Sequence, residues 1–311
     1  MIKRTVQFVG LGASYSGSDF VYTYISEHPE VCVIKKNTRF FAKKEFFSKG
    51  IGWYEAHFAS CRSGRVRGEC STSYLFSKLA PKRISQTYPD AKLFAVVSNP
   101  IDRLCREFRV LKKRGLIDKS YTLLEYLERH PEMLQAGLYA KSLQNYFEYY
   151  SPINMYIAVH EDRYENPIEY LQKIYDFIGV RKNFVPKALR GFVVQDEDDK
   201  KKSFLQILFS IILFPFKILG IATIVKKILH LSGFDKKITK LFSKKVENTE
   251  TYKPVPEMAS RLVKECVSPE LYALLSDYYY QDVKELSVLL HRNLNEEWHI
   301  YKQPEKNKKR K

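Results

Sequence analysis

The stretch TVQFVGLGASYSGSDFVYTYISEHPEV, residues 5–31, decides how the rest of the chain is read. Thr5 to Val9 is a short β-branched and aromatic run, which suits a buried strand. Gly10 to Ser18 is rich in glycine and serine, and Asp19 to Glu27 resumes a helical pattern that stops at His28-Pro29. Strand, small-residue loop and helix in that order can cradle an anion. Loop N–H groups converge on it, and the helix N-terminus adds partial positive charge. Gly12 to Asp19 keeps the spacing of GxxxxGK[ST], with Ser18 for the lysine and Asp19 for the hydroxyl residue. Without that lysine, a magnesium-dependent NTPase is disfavoured. Ser14, Ser16 and Ser18 can add hydroxyl donors. A tight turn that binds nothing is the competing reading of this loop taken alone.

Working outward, strands and helices alternate. Val31 to Ile34 reads as a strand, Lys43 to Ser60 as an amphipathic helix, Arg67 to Tyr74 as a strand running into a loop, and Ala80 to Tyr88 as a helix. KLFAVV, Lys92 to Val97, is the clearest buried strand; it ends at Ser98 and is broken by Asn99-Pro100. Helices follow at Ile101 to Arg114, Leu123 to Leu127 and Tyr139 to Tyr149, then a strand at Asn154 to Val159 and a helix at Pro167 to Ile178. Pro269 to Leu290 is a last amphipathic helix. The alternation predicts an α/β fold with a central parallel sheet.

The 311 residues are 45% hydrophobic and 28% charged, a globular composition, with a formal net charge of +17. Such a surplus attracts anions without choosing among them. No RNA or DNA motif is present, so nucleic acid is not expected. The five cysteines form no CxxC pair, and the histidines have no metal-ligand spacing; the thiols read as reduced, in a cytoplasmic protein. FLQILFSIILFPFKILGIATI, residues 204–224, is flanked by lysines and interrupted by Pro215 and Lys217. It suits a surface-lying or re-entrant helix pair on an anionic membrane better than a clean span, the competing reading being a buried helical hairpin that closes the sheet. A single domain over residues 1–298 is expected, with 200–245 a hydrophobic and basic insertion and 299–311 a basic tail.

Six stretches, in order, resemble PAPS-dependent sulfotransferases of the heparan and bacterial type (PAPS is 3′-phosphoadenosine 5′-phosphosulfate). They are the opening loop, GIGWYEAHF with Gly52-Trp53-Tyr54, GECSTSYL from Gly68 to Leu75, KLFAVVSNPIDRLCREF from Lys92 to Phe108, the Gly137 to Pro167 stretch, and Leu274 to Trp298. The resemblance implies a three-layer P-loop-like fold and sulfuryl transfer from PAPS to a hydroxyl of a glycan or glycolipid, with no metal. The alternative is a catalytically degenerate member that serves as a glycan- or membrane-binding module.

Carried over by position, Ser14, Tyr15, Ser16, Gly17, Ser18 and Asp19 hold the 5′-phosphosulfate, and Ser98, Arg103 and Arg106 the 3′-phosphate. Glu69 takes the place of the catalytic base. Two departures matter. Tyr15 stands where the family has a lysine, which removes a cation from the leaving phosphate; Lys35, Lys36 and Arg39 are candidates to replace it. Ser98 and Arg106 stand where the family has arginine and serine, an exchange that retains one guanidinium. Arg103 and Arg106, three residues apart, are expected on one helical face.

Overall fold

The computed structural model describes residues 6–34, 37–192 and 260–302. Five parallel strands form one sheet in the order β2-β3-β1-β4-β5: β1 Phe8–Gly10, β2 Val31–Val33, β3 Val66–Cys70, β4 Lys92–Val97 and β5 Met155–Val159. Side chains alternate across the sheet. Phe8, Phe94 and Val96 face α1 (Ser18–Glu27) and α8 (Pro167–Ile178), packing on Phe20, Val21, Tyr170 and Ile174. Val9, Leu93, Ala95 and Val97 face the opposite layer. That layer contains α5 (Pro100–Lys113) and α7 (Tyr139–Phe147). Burial on both faces explains why KLFAVV has no polar alternation. The expected three-layer α/β architecture is the observed one.

The chain returns from β3 to β4 across β1, so the strand order reverses at β1. In open parallel sheets, ligands bind beyond the carboxyl ends of the strands at such a point. The Gly-Ser loop is placed there.

The remaining helices are α2 Lys44–Phe47, α3 Ile51–Glu55, α4 Ala80–Thr87, α6 Leu123–Arg129, α9 Arg261–Cys266, α10 Pro269–Leu290 and α11 Leu294–Glu297. Asp282 of α10 accepts from the Ala140 and Lys141 amides at 3.0 Å each, satisfying the start of α7. The Tyr279 ring lies where a Cβ on Gly137 would be, 2.6 Å from it, so only glycine allows this approach.

Several expectations change. Lys43 to Ser60 is not one helix. Gly50, at φ 81°, separates α2 from α3, and a 3₁₀ turn over Ala56–Phe58 follows. Cys32 and Cys61 are joined in a disulfide, leaving Cys70, Cys105 and Cys266 as free thiols, so the reading of five reduced cysteines is corrected. The bonded pair are 29 residues apart, a spacing with no signature. Of the expected tail at 299–311, residues 299–302 are described and are packed on the core, and 303–311 lie outside the described residues. Ile300 is fully buried, and the Tyr301 amide donates to Ser276 Oγ at 2.6 Å. The 204–224 segment and the proposed insertion at 200–245 lie outside the described residues. Among the described residues, no helix is long and apolar enough to cross a membrane.

Candidate functional site

Four strand ends bring the candidate residues together. After β1, the Gly12 to Gly17 loop turns into α1, with Gly17 in the left-handed region at φ 83°. Its hydroxyls brace the loop from within. Ser14 Oγ donates to the Thr72 carbonyl at 3.0 Å, Ser18 Oγ to the Ala13 carbonyl at 3.1 Å, and Ser16 Oγ shares a hydrogen bond with Tyr139 Oη at 3.0 Å. In this arrangement the serines shape the cradle. The opening amides of α1, which lack intrahelical acceptors, are what it offers an anion. Asp19 is exposed in the first turn of the helix. The Tyr15 phenol is pushed above its ordinary range by burial and then by the Glu107 carboxylate, so it is a neutral donor.

After β4, Asn99 caps α5 through its side chain and starts the helix that carries both arginines. Arg106 Nη2 donates to Ser98 Oγ at 3.1 Å, so the exchanged serine and arginine meet at one place. Arg103, on the same helix, turns to different partners. It is fully buried, 2.9 Å from Glu107 and donating to the Met133 carbonyl at 3.2 Å. Two of its guanidinium nitrogens, Nε and Nη1, have no acceptor among the described residues. Three residues of helical spacing place Cβ atoms near each other, but long side chains diverge to their own partners.

At the end of β3, Glu69 is fully buried and paired in register with Val9. Four hydroxyls donate to its carboxylate: Thr38 at 2.7 Å, Tyr54 at 2.9 Å, Tyr74 at 2.6 Å and Ser71 at 3.2 Å. Burial raises its pKa even so, against the opposing effect of these hydrogen bonds. Tyr54 and Tyr74 come from the GIGWYEAHF and GECSTSYL stretches, so two of the six stretches converge on one carboxylate. The Arg39 backbone amide donates to Ser71 Oγ at 3.2 Å, placing that candidate cation's backbone beside this cluster. Lys35 and Lys36 lie outside the described residues.

Three residues at the site carried no separate role in the sequence reading. Tyr139 shares a hydrogen bond with Ser16 of the loop and lies beside Ser98. Glu161 Oε1 accepts the Asn99 amide at 3.0 Å. His160 is buried, with Nε2 lying 3.2 Å from Tyr164 Oη and 3.5 Å from Arg106 Nη1. Tyr139 and Glu161 lie in the stretch from Gly137 to Pro167, so their motif was visible. The contact of His160 with the loop depends on how β5 ends beside β4, which no local pattern encodes. No cluster of metal-ligating side chains occurs among the described residues.

Comparisons with known proteins agree with this geometry. The family model described as "Sulfotransferase domain" matches residues 8–201. Heparan sulfate glucosamine 3-O-sulfotransferase 3B1 of Mus musculus is 27% identical over 203 residues, covering 61% of this chain and 51% of that protein. Heparan sulfate glucosamine 3-O-sulfotransferase 6 of Mus musculus is 27% identical over 206 residues, 61% of this chain and 58% of its own length. The chain thus spans little more than half of these curated relatives. A solved sulfotransferase from Alicyclobacillus acidocaldarius superposes with a TM-score of 0.63 at 19% identity, covering 94% of this chain and 98% of that one. At that identity the likeness concerns the fold.

Proposed function

The chain belongs to the sulfotransferase domain family, and from that premise we propose that it transfers a sulfuryl group from PAPS to a hydroxyl of a glycan or glycolipid. The observation that carries this reading is the pair of hydrogen bonds Ser16–Tyr139 and Ser98–Arg106, with Ser98 beside Tyr139, which brings the loop after β1 next to the guanidinium after β4. It holds two anion-binding elements on one sheet edge, as a nucleotide with phosphates at both ends of its ribose requires. The buried donors without protein acceptors, on Arg103 and His160, also suit an anionic ligand.

In this reading PAPS supplies an activated sulfuryl group on a phosphosulfate anhydride. The start of α1 holds the 5′ end, with Gly17 allowing the turn. Ser98 and Arg106 hold the 3′-phosphate, and a guanidinium suits a phosphate bidentately. Arg103 acts from behind, its charge balanced by Glu107. Tyr15 offers a hydrogen bond where a cation would stabilise developing charge, which implies a slowed reaction. Glu69 is the base that accepts the acceptor hydroxyl's proton. A carboxylate with a raised pKa is a better match to that task than an ordinary one. Its full burial means that Thr38 or one tyrosine must withdraw before a sugar hydroxyl reaches it. The acceptor class is suggested by the relatives' names, heparan sulfate glucosamine sulfotransferases, and by the net charge of +17.

One observation favours the second reading, a binding module without turnover. Glu69 is enclosed by four donors, and Tyr15 carries no positive charge. Calorimetric titration with PAP, the desulfated product, followed by PAP release in the presence of glycan acceptors, separates the two. Binding with release supports the enzyme; binding without release on any acceptor supports the module; no binding rejects both nucleotide-dependent readings.

A further inference from the structure

The end of β5 places His160 directly against the anion loop. A Cβ built on Gly17 would sit 1.8 Å from His160 Nδ1 and 2.1 Å from its Cε1. The Nδ1–Cε1 edge of the ring therefore faces the residue that starts α1, and Gly17 is a glycine for two reasons: its φ of 83° and this ring.

The other edge of the ring fixes its protonation pattern. Arg106 Nη1 and Tyr164 Oη both approach Nε2, at 3.5 and 3.2 Å. A guanidinium only donates, so Nε2 is the accepting nitrogen and the neutral ring carries its proton on Nδ1. The ring is neutral because burial, and after it the Arg163 and Arg106 charges, hold it well below the ordinary histidine range. The result is a buried N–H, on a side chain only 4% exposed, with no acceptor among the described residues. A buried donor left in that state costs free energy unless a ligand or water completes it.

We propose that His160 is a positioning residue of the anion site: its Nδ1–H donates to an oxygen of the group bound at the start of α1, in the tautomer that Arg106 imposes. The group that completes it is a phosphate oxygen of the nucleotide, so this inference rests on the nucleotide reading above. It also links the two ends of the ligand. Arg106 contacts Ser98 at one site and orients the donor that serves the other.

The test compares His160→Asn with His160→Gln. The Asn amide nitrogen falls near the position of Nδ1 and can donate there. Gln reaches toward the Nε2 position and leaves the Gly17 edge without a donor. Titration with PAP should show His160→Asn close to the wild type and His160→Gln weakened about tenfold, the worth of one hydrogen bond to a charged group. Equal affinity in all three chains, or stronger binding by His160→Gln than by His160→Asn, overturns the assignment while leaving the nucleotide reading intact. A wild-type chain that binds no PAP overturns both. If the variants do not fold, the unsubstituted chain still decides. Imidazole nitrogen shifts from heteronuclear NMR should report the Nδ1–H tautomer, and PAP should move that proton downfield. An Nε2–H tautomer, or an Nδ1–H resonance that saturating PAP leaves in place, overturns the inference.

Discussion

Arg106 and Tyr15 show how a single position can be read from its spacing and still need the fold for its role. The Ser98 and Arg106 exchange was visible as two departures eight residues apart, and the structure joins them at 3.1 Å. Arg103 was equally visible, yet its burial between Glu107 and the Met133 carbonyl depends on α5 packing, which spacing does not encode. Arg106→Ala should therefore weaken PAP by roughly 1.5–3 kcal/mol. Adenosine 5′-phosphosulfate, which lacks the 3′-phosphate, should weaken less. Calorimetry that finds equal losses for both ligands removes Arg106 from the 3′-phosphate site. Tyr15 sits at φ 63°, a strain that a lysine would share, so Tyr15→Lys changes charge with little change in backbone cost. It should raise the rate of PAP release by restoring a cation at the leaving phosphate. Glu69→Gln should abolish release while PAP affinity stays nearly the same, because a base acts on the acceptor. Turnover unaffected by Glu69→Gln would show that another group takes the proton.

Elements were legible where capping and periodicity agree. Pro167 to Ile178 and Pro269 to Leu290 have the expected bounds, each with Pro at the first turn and an Asn or Ser cap. Lys43 to Ser60 was illegible because an apolar face continues through Gly50, whose positive φ breaks the helix. Contacts between distant elements were also out of reach. Asp282 lies far along the chain from the α7 amides it satisfies, and Asp282→Ala should cost about 1–2 kcal/mol, measured as a lower melting temperature. Likewise α9 packs along α5, with the free Cys105 thiol hydrogen-bonded to the Cys266 sulfur. That bond lowers Cys266 to about 7, whereas burial pushes Cys70 up. Thiolates are the reactive form. Iodoacetamide near neutral pH should thus label Cys266 before Cys105 or Cys70, as read by peptide mass mapping. Labelling of Cys70 first would contradict this ordering.

At the scale of the whole molecule, opposed sets of buried groups set how stability responds to pH. Burial raises Glu161 from 4.5 to about 7 and Asp282 from 3.8 to about 6, so each holds its proton more tightly in the folded chain than in the unfolded one. The stability they contribute is complete below their unfolded values and is lost as pH rises through about 6 and about 7. His28 and His160 are lowered from 6.5, chiefly by burial, so their contribution is complete above 6.5 and is lost as pH falls from there. The two sets squeeze the folded state from both sides. Glu161 acts on the alkaline side, with a full shift worth roughly 3 kcal/mol. Glutamine at that position keeps an oxygen for the Asn99 amide but cannot ionise. Denaturant unfolding at pH 6 and pH 8 should therefore show wild-type stability falling by about 1–2 kcal/mol, and Glu161→Gln should lose much less over the same interval. Parallel losses in the two chains would mean that Glu161 is already ionised at pH 6. Its buried Oε2 would then carry charge with no hydrogen-bond partner among the described residues, the Asn99 amide being on Oε1.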